Sequence, residues 1–255
     1  MFATTRGGLR RASTAGAGLI LALGLAGCGS SAASPAGTIS ATSSPAASSS
    51  PSASATGSAA TTPAALVEQV VLAAGDVATG YAVKLIPGGD RVAGQVTLDY
   101  CGYRYASEAH RVARRQVAVY TSSGDMVGAS NEVVAYDTPA HAAEALAEFT
   151  AAVKRCPRNV FAKGTVTGQP PIRYDKGTLS TSTQLPLPGN AVVMITETAK
   201  GIPGHLYNVY IMQVRGTVLD AVYLTSQLTL TQDDLAAAMH LADLTGQRLG
   251  GTATI

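Results

Sequence analysis

Residues 206–225 read LYNVYIMQVRGTVLDAVYLT, and this stretch decides the architecture. Two runs rich in β-branched and aromatic residues, 206–214 and 217–225, flank Arg215-Gly216. Such side chains suit a pleated, half-buried surface, and a two-residue break containing Gly is a tight hairpin signal. Working outward, residues 191–198 read as a third strand. Residues 116–121 and 132–136 have the same character. Ser122-Ser123-Gly124-Asp125 lies between them, which predicts a second antiparallel pair with a loop. Residues 96–100 read as a strand leading to Cys101. Residues 157–190 carry Gly168, Pro170, Pro171, Pro186, Pro188 and Gly189, and predict irregular loop with short strand pieces.

Three helices bracket these strands. Thr62-Pro63 suits an N-cap and first helical position, and Leu66, Val67, Val70, Val71 and Ala74 follow at helical spacing. Gly75 is a natural stop. Asp76-Val77-Ala78-Thr79-Gly80-Tyr81 then turns into the run Ala82-Val83-Lys84-Leu85-Ile86. Thr138-Pro139 opens the second helix, which ends near Cys156-Pro157. Ala142, Leu146, Phe149, Val153 and Cys156 form its apolar face. Thr231-Gln232-Asp233-Asp234 resembles a capping box and opens the third, with Leu235, Ala238, Met239 and Ala242 as its stripe. The expected class is α+β, an antiparallel sheet of about five to seven strands packed with about three helices and holding one disulfide.

The N-terminal quarter stands apart. Residues 1–28 read as a bacterial lipoprotein signal peptide: Arg6, Arg10 and Arg11 precede the uncharged apolar run 15–25, and Leu25-Ala26-Gly27-Cys28 matches a lipobox. Cys28 is the expected lipidation site, and a diacylated Cys supplies the more than one chain that stable anchoring needs. Residues 29–63 contain 12 Ser, 10 Ala, 5 Thr and 4 Pro with no charge, and such a tract cannot bury enough to offset chain entropy. They read as a disordered linker, and residues 64–255 as a single globular domain.

Charge excludes one class of partner. The 255 residues hold 18 basic and 16 acidic side chains, but three of the basic ones belong to the signal. The domain from residue 64 is thus close to neutral, without the clustered basic excess that nucleic acid requires.

Three cysteines are present. With Cys28 lipidated, Cys101 and Cys156 remain as an even pair in an oxidising compartment, which predicts a disulfide. Cys156 sits on the apolar face of its helix and Cys101 follows a predicted strand, 55 residues earlier. The alternatives are a metal pair or a reactive thiol, and the lack of a nearby patterned His weakens the metal.

Several motifs in order carry a resemblance. They are Asp76-Val77-Ala78-Thr79-Gly80-Tyr81, Thr97-Leu98-Asp99-Tyr100-Cys101, Ser107-Glu108, and Arg111-Val112-Ala113-Arg114-Arg115-Gln116-Val117. Val133-Val134-Ala135-Tyr136, Pro139-Ala140, Arg155-Cys156-Pro157 and Val214-Arg215-Gly216-Thr217-Val218 follow. This order resembles actinobacterial envelope lipoproteins related to the extracellular sensor domain of the receptor kinase PknH. The resemblance implies a ligand-binding or sensory module with no established chemistry. The chain departs from that domain in having one cysteine pair where the domain has two, and in having no kinase portion.

Enzyme motifs are missing: there is no G-x-S-x-G, H-E-x-x-H, P-loop or C-x-x-C. His110, His141, His205 and His240 are scattered without metal spacing, so no metal, cofactor or catalytic residue is expected. One cluster stands out. His110, Arg111, Arg114 and Arg115 are spaced i, i+1, i+4, i+5, and with Ser107 capping a helical turn they would form one basic face. Guanidinium groups bind phosphate or carboxylate bidentately. Tyr103 and Tyr105, beside Tyr100, would supply aromatic walls. The candidate ligand-binding residues are therefore Arg111, Arg114, Arg115, Tyr103 and Tyr105. The alternative is a solvated face paired with Glu108 or Asp99, with the tyrosines on one side of a half-buried strand.

The expected function is a surface-tethered lipoprotein with a non-catalytic ligand-binding or sensory domain. It would sit on the extracytoplasmic face of the cell membrane through Cys28 and take a cell-envelope lipid, glycan or protein as ligand. The alternatives are a lipid or glycolipid carrier and, less favoured, an envelope hydrolase.

Overall fold

The computed structural model describes residues 61–163 and 170–252. The signal reading, Cys28 and the linker up to residue 60 lie outside the described residues. The helices are α1 (Pro63–Val70), α2 (Pro139–Arg155) and α3 (Gln232–Thr252). The strands are β1 (Tyr81–Leu85), β2 (Arg111–Thr121), β3 (Met126–Tyr136), β4 (Phe161–Ala162), β5 (Ile172–Ser180), β6 (Ala191–Ala199), β7 (Leu206–Arg215) and β8 (Val218–Ser226). All eight form one antiparallel sheet in the order β1-β2-β3-β8-β7-β6-β5-β4. The class is α+β, as expected, with one strand more than the upper end of the range.

The hairpin forms, with its two-residue turn one position later than read, at Gly216-Thr217: β7 and β8 pair from Tyr207 with Ser226 to Arg215 with Val218, and Gly216 turns at φ +55°. Two expectations change. Residues 157–190 were expected to be mainly irregular, but β5 runs nine residues and pairs with β6. Its sequence IRYDKGTLS carries charges and a Gly, and its pairing with β6, and with β4 at Ile172 and Arg173, supplies the ladder that makes it a strand. Conversely, residues 96–100 form no strand. The N–H groups of Thr97 and Leu98 donate to the Glu108 carboxylate at 3.1 and 3.0 Å instead of to a ladder.

Helix ends follow local chemistry. Thr62 accepts from Ala65 N and Thr138 from His141 N, each before a Pro in the first turn. Thr231 and Asp234 exchange hydrogen bonds reciprocally at the start of α3. Lys154 and Arg155 occupy the last turn of α2, where the helix dipole favours cations.

Both faces of the sheet are covered. On one, Val134, Tyr136, Val193, Ile195, Met212 and Leu219 pack against Ala142, Ala145, Phe149 and Ala152 of α2. On the other, Val117, Val133, Ala135 and Val218 meet Val67 and Val70 of α1 and Leu249 of α3. Val192, Val209, Ile211 and Val222 meet Ala238 and Ala242 of α3. Burial on both faces explains why the central strands read as nearly continuous apolar runs. Successive side chains alternate faces, and along the middle of these strands both faces are largely covered.

A buried polar network lies within the α1/α3 side. Asp220 on β8 accepts from Asn131 (2.7 Å) and Thr245 (2.5 Å). Asn131 accepts in turn from Leu72 N at 3.0 Å, and Gln213 donates to Ala242 O at 2.7 Å. Burial raises the Asp220 pKa from 3.8 to about 6, against the lowering effect of those hydrogen bonds. Gly246 gives Gln213 its place: a Cβ there would stand 2.7 Å from both amide atoms and 2.8 Å from Pro186. Arg248 of α3 bonds the Asp76 carboxylate and the Val71 carbonyl, fastening the last helix to the chain after α1.

Candidate functional site

Cross-strand register places one polar field on the α2 side of the sheet. Gln116 pairs with Glu132, Ser130 with Tyr223, Tyr223 with Tyr210, and Asn208 with Thr225. Directly paired residues share a face, so these side chains form one polar patch that begins at Tyr210, which Phe149 of α2 touches. Residues 96–100 run over this field. Between them and the sheet lies a cleft of about 290 Å³, closed on one side by Phe149 of α2.

Its walls are held by charge. Glu132 is paired with Arg114, and the two side chains are 2% and 3% exposed. Glu132 also accepts from Thr97 Oγ1 at 2.8 Å and from the Tyr223 hydroxyl at 3.3 Å. Arg111 donates to Thr97 Oγ1 at 3.0 Å and to Gln95 O at 2.6 Å, and ion-pairs with Glu108 at 3.1 Å. Burial raises the Glu108 pKa although Arg111 opposes the rise. These bonds clamp residues 95–98 to the sheet.

The disulfide clamps the other end. Cys101 and Cys156 are bonded, with Cα atoms 5.8 Å apart, so the chain immediately after Tyr100 is tied to the end of α2. The turn there needs left-handed backbone, with Cys101 at φ 60° and Gly102 at φ 65°. A Cβ on Gly102 would meet the Lys163 carbonyl oxygen at 2.4 Å.

The lining is aromatic, with neutral polar groups and the carboxylates of Asp99 and Glu132. Tyr100 stacks edge-on to Phe149 with centroids 5.8 Å apart, and Tyr210 does so with Tyr223 at 5.5 Å. The Tyr210 hydroxyl donates to Glu197 at 3.0 Å. Burial pushes Glu197 up to about 7, and burial likewise pushes both tyrosines far above 10, so their hydroxyls stay protonated. Gln116, Ser130 and Thr225 add neutral polar groups to the lining, and Val96, Leu98 and Met212 add apolar ones. Such a surface offers hydroxyl and amide hydrogen bonds and aromatic faces to a small polar molecule.

The sequence-derived cluster is dispersed. The helical turn capped by Ser107 is a 3-10 helix, Ala106–His110, that ends before the arginines, and Arg111 begins β2. Ser107 donates to Glu148 rather than capping. In a strand, neighbours alternate faces. Arg114 therefore points under the cleft, while Arg115 pairs with Glu68 of α1 at 2.8 Å. There is no common basic face, because helical spacing does not apply. The alternative of pairing with Glu108 holds for Arg111. Tyr105 is buried with its hydroxyl on Tyr100 O at 2.9 Å, and Tyr103 lies beneath the Arg155 guanidinium. Neither lines the cleft; Tyr100, Tyr210 and Tyr223 do. The last two sit on the hairpin as ordinary strand aromatics, and only their register with Ser130 and Glu132 marks them.

Two histidines expected to be scattered stand together. His110 and His141 stack with centroids 3.5 Å apart and both bond Asp137.

Comparison with known proteins adds the family. No curated protein sequence matches this chain. The crystal structure of the extracellular domain of PknH from Mycobacterium tuberculosis is similar over 73% of this chain and 99% of its own length, at 14% identity and a TM-score of 0.46. The sequence profile of the PknH-like extracellular domain matches residues 62–243, which spans α1, α2, all eight strands and the first half of α3. The chain belongs to the family of PknH-like extracellular domains.

Proposed function

We propose that this protein is a surface-tethered lipoprotein whose domain binds a small polar ligand in the cleft over Glu132 and acts as a non-catalytic sensory or binding module. Family membership makes the domain an extracytoplasmic one. The order of Arg6, Arg10, Arg11, the apolar run and Leu25-Ala26-Gly27-Cys28 supports a lipid anchor at Cys28. No helix among the described residues is long and apolar enough to cross a membrane.

The cleft carries the reading. Its volume approaches the lower end of ordinary ligand pockets. Its wall is fixed by a buried ion pair at one end and by a disulfide at the other. Pre-organisation of this kind lowers the ordering cost of binding. Among the described residues no histidine lines the cleft, which favours binding over Ser-His-Asp hydrolysis. The mixed polar lining favours a glycan-like or other hydroxylated molecule over the acyl chain of a lipid carrier.

Two experiments test this. Cys28→Ala should move the protein from the membrane fraction to the medium or leave it as precursor, and unchanged fractionation overturns the anchor. The full chain, purified in detergent from its own membranes, should release a small polar molecule on denaturation, read by mass spectrometry. Ser130→Phe fills the cleft floor and should abolish that signal at an unchanged melting temperature. A signal equal in both chains, or none from the parent, overturns the binding reading.

A further inference from the structure

The corner where β3 meets α2 gathers three groups from separate elements. His110 closes the 3-10 helix, Asp137 follows β3, and His141 lies in the first turn of α2. Their backbones are pinned. Asp137 N donates to His110 O at 3.0 Å, Tyr136 N to Thr217 O at 2.8 Å, and His141 N to the capping Thr138 hydroxyl at 3.2 Å. The two imidazoles present the same atom, Nδ1, to the two oxygens of one carboxylate. His110 Nδ1 stands 3.2 Å from Asp137 Oδ2. One ligand atom from each of the three lies within 4.8 Å of the others.

The His110–Asp137 spacing is near that of neighbouring ligands on a metal, and all three ligand atoms lie within 4.8 Å of one another. Metal–ligand bonds of about 2.0–2.1 Å in a tetrahedron place neighbouring ligand atoms roughly 3.3 Å apart. The two imidazoles are stacked, so ligation requires the rings to rotate out of the stack and turn both nitrogens and one oxygen onto a common centre. The donor set selects the ion, because imidazole suits Zn²⁺ and its neighbours while Ca²⁺ and Mg²⁺ demand oxygen shells. The side chains of His110, Asp137 and His141 are 38%, 42% and 28% exposed, so an ion can enter from solvent and a fourth position stays open. We propose that His110, Asp137 and His141 form a binding site for a borderline divalent transition ion, with Zn²⁺ as the best fit. Three protein ligands and one open position is the arrangement of an exchangeable site, not of a closed structural one. The site lies outside the cleft lining and does not depend on the reading of the cleft.

The test is calorimetric titration of ZnCl₂ into the full chain after dialysis against a chelator. One ion per chain is expected. His110→Ala and His141→Ala should each weaken binding by more than the roughly 10–100-fold that loss of an outer-shell partner costs. His205→Ala and His240→Ala should leave it unchanged. Ca²⁺ at equal concentration should not compete. Long-range ¹H–¹⁵N spectra of the parent chain supply a reading free of mutation: Zn²⁺ should shift Nδ1 of two histidines, and these signals should vanish in the two Ala variants. Binding retained in the His110→Ala/His141→Ala double variant, equal competition by Ca²⁺, shifts confined to His205 or His240, or no binding by the parent chain overturns the site.

Discussion

The Arg114 guanidinium on β2 and the Glu132 carboxylate on β3 form an ion pair beneath the cleft, with both side chains essentially sealed from water. Both charges are almost entirely desolvated, although Glu132 borders the cleft, and the guanidinium is the cationic partner of the carboxylate. Arg114→Ala leaves Glu132 buried and uncompensated and should cost about 3–5 kcal/mol in urea unfolding. Arg114→Met with Glu132→Leu replaces the pair by apolar groups of similar volume and should recover most of that loss. Equal stability of the single and double variants would show that the two charges are not coupled.

Gly246 and Gln213 form a second tight contact. Gly246→Ala places a methyl against both atoms of a fully buried amide and against Pro186. Overpacking of this kind costs about 1–3 kcal/mol. The loss should shrink in a Gln213→Ala background, where only the Pro186 contact remains. A thermal-unfolding cycle of the four chains measures the coupling, and strictly additive losses would refute it.

The disulfide closes a long loop, and its removal in Cys101→Ser/Cys156→Ser should cost about 4 kcal/mol in the chain-entropy account. Because Cys101 follows Tyr100 in the cleft wall, the same variant should also lose whatever small molecule the parent retains. Thiol titration of the unfolded, unreduced parent should find neither cysteine reactive.

Glu197 makes stability depend on pH. Its pKa rises from 4.5 to about 7, chiefly through burial, while the Tyr210 hydrogen bond opposes the rise. Between those values the folded chain holds a proton that the unfolded chain has released. Its contribution is therefore complete below about pH 4.5 and lost as pH climbs to about 7, an effect of about 3 kcal/mol. Asp220, raised to about 6, has the same sign over its own interval. Glu197→Gln keeps an oxygen to accept from Tyr210 and should flatten the Glu197 part of the fall, measured by urea unfolding at steps from pH 4 to 8. Parallel profiles for the two chains would reject this account.

Much of the fold was legible where the signal is local. Thr138-Pro139 marked α2, Thr231 with Asp234 marked α3, and Arg215-Gly216 marked the central hairpin, because caps and tight turns are decided within a few residues. β5 was not legible, since its charges and Gly177 obscure any period and its strand character comes from pairing with β6 and β4. Residues 96–100 failed in the opposite sense. Their apolar and β-branched residues read as strand, but Glu108 captured the backbone donors and laid the segment over the sheet. The basic cluster failed because spacing has meaning only once the period is known, and β2 begins at Arg111.

The sequence by itself determined the near-neutral charge of residues 64–255, the helix caps, the hairpin and the cysteine pair, all of which depend on composition or on neighbours in the chain. Only the tertiary structure decided which distant groups meet: Arg114 with Glu132, Tyr210 with Tyr223, and His110 with His141 on Asp137. Those meetings follow from strand register and from the docking of α2 on the sheet. A shift of one residue in register turns a side chain to the opposite face, and no short window of sequence encodes that choice.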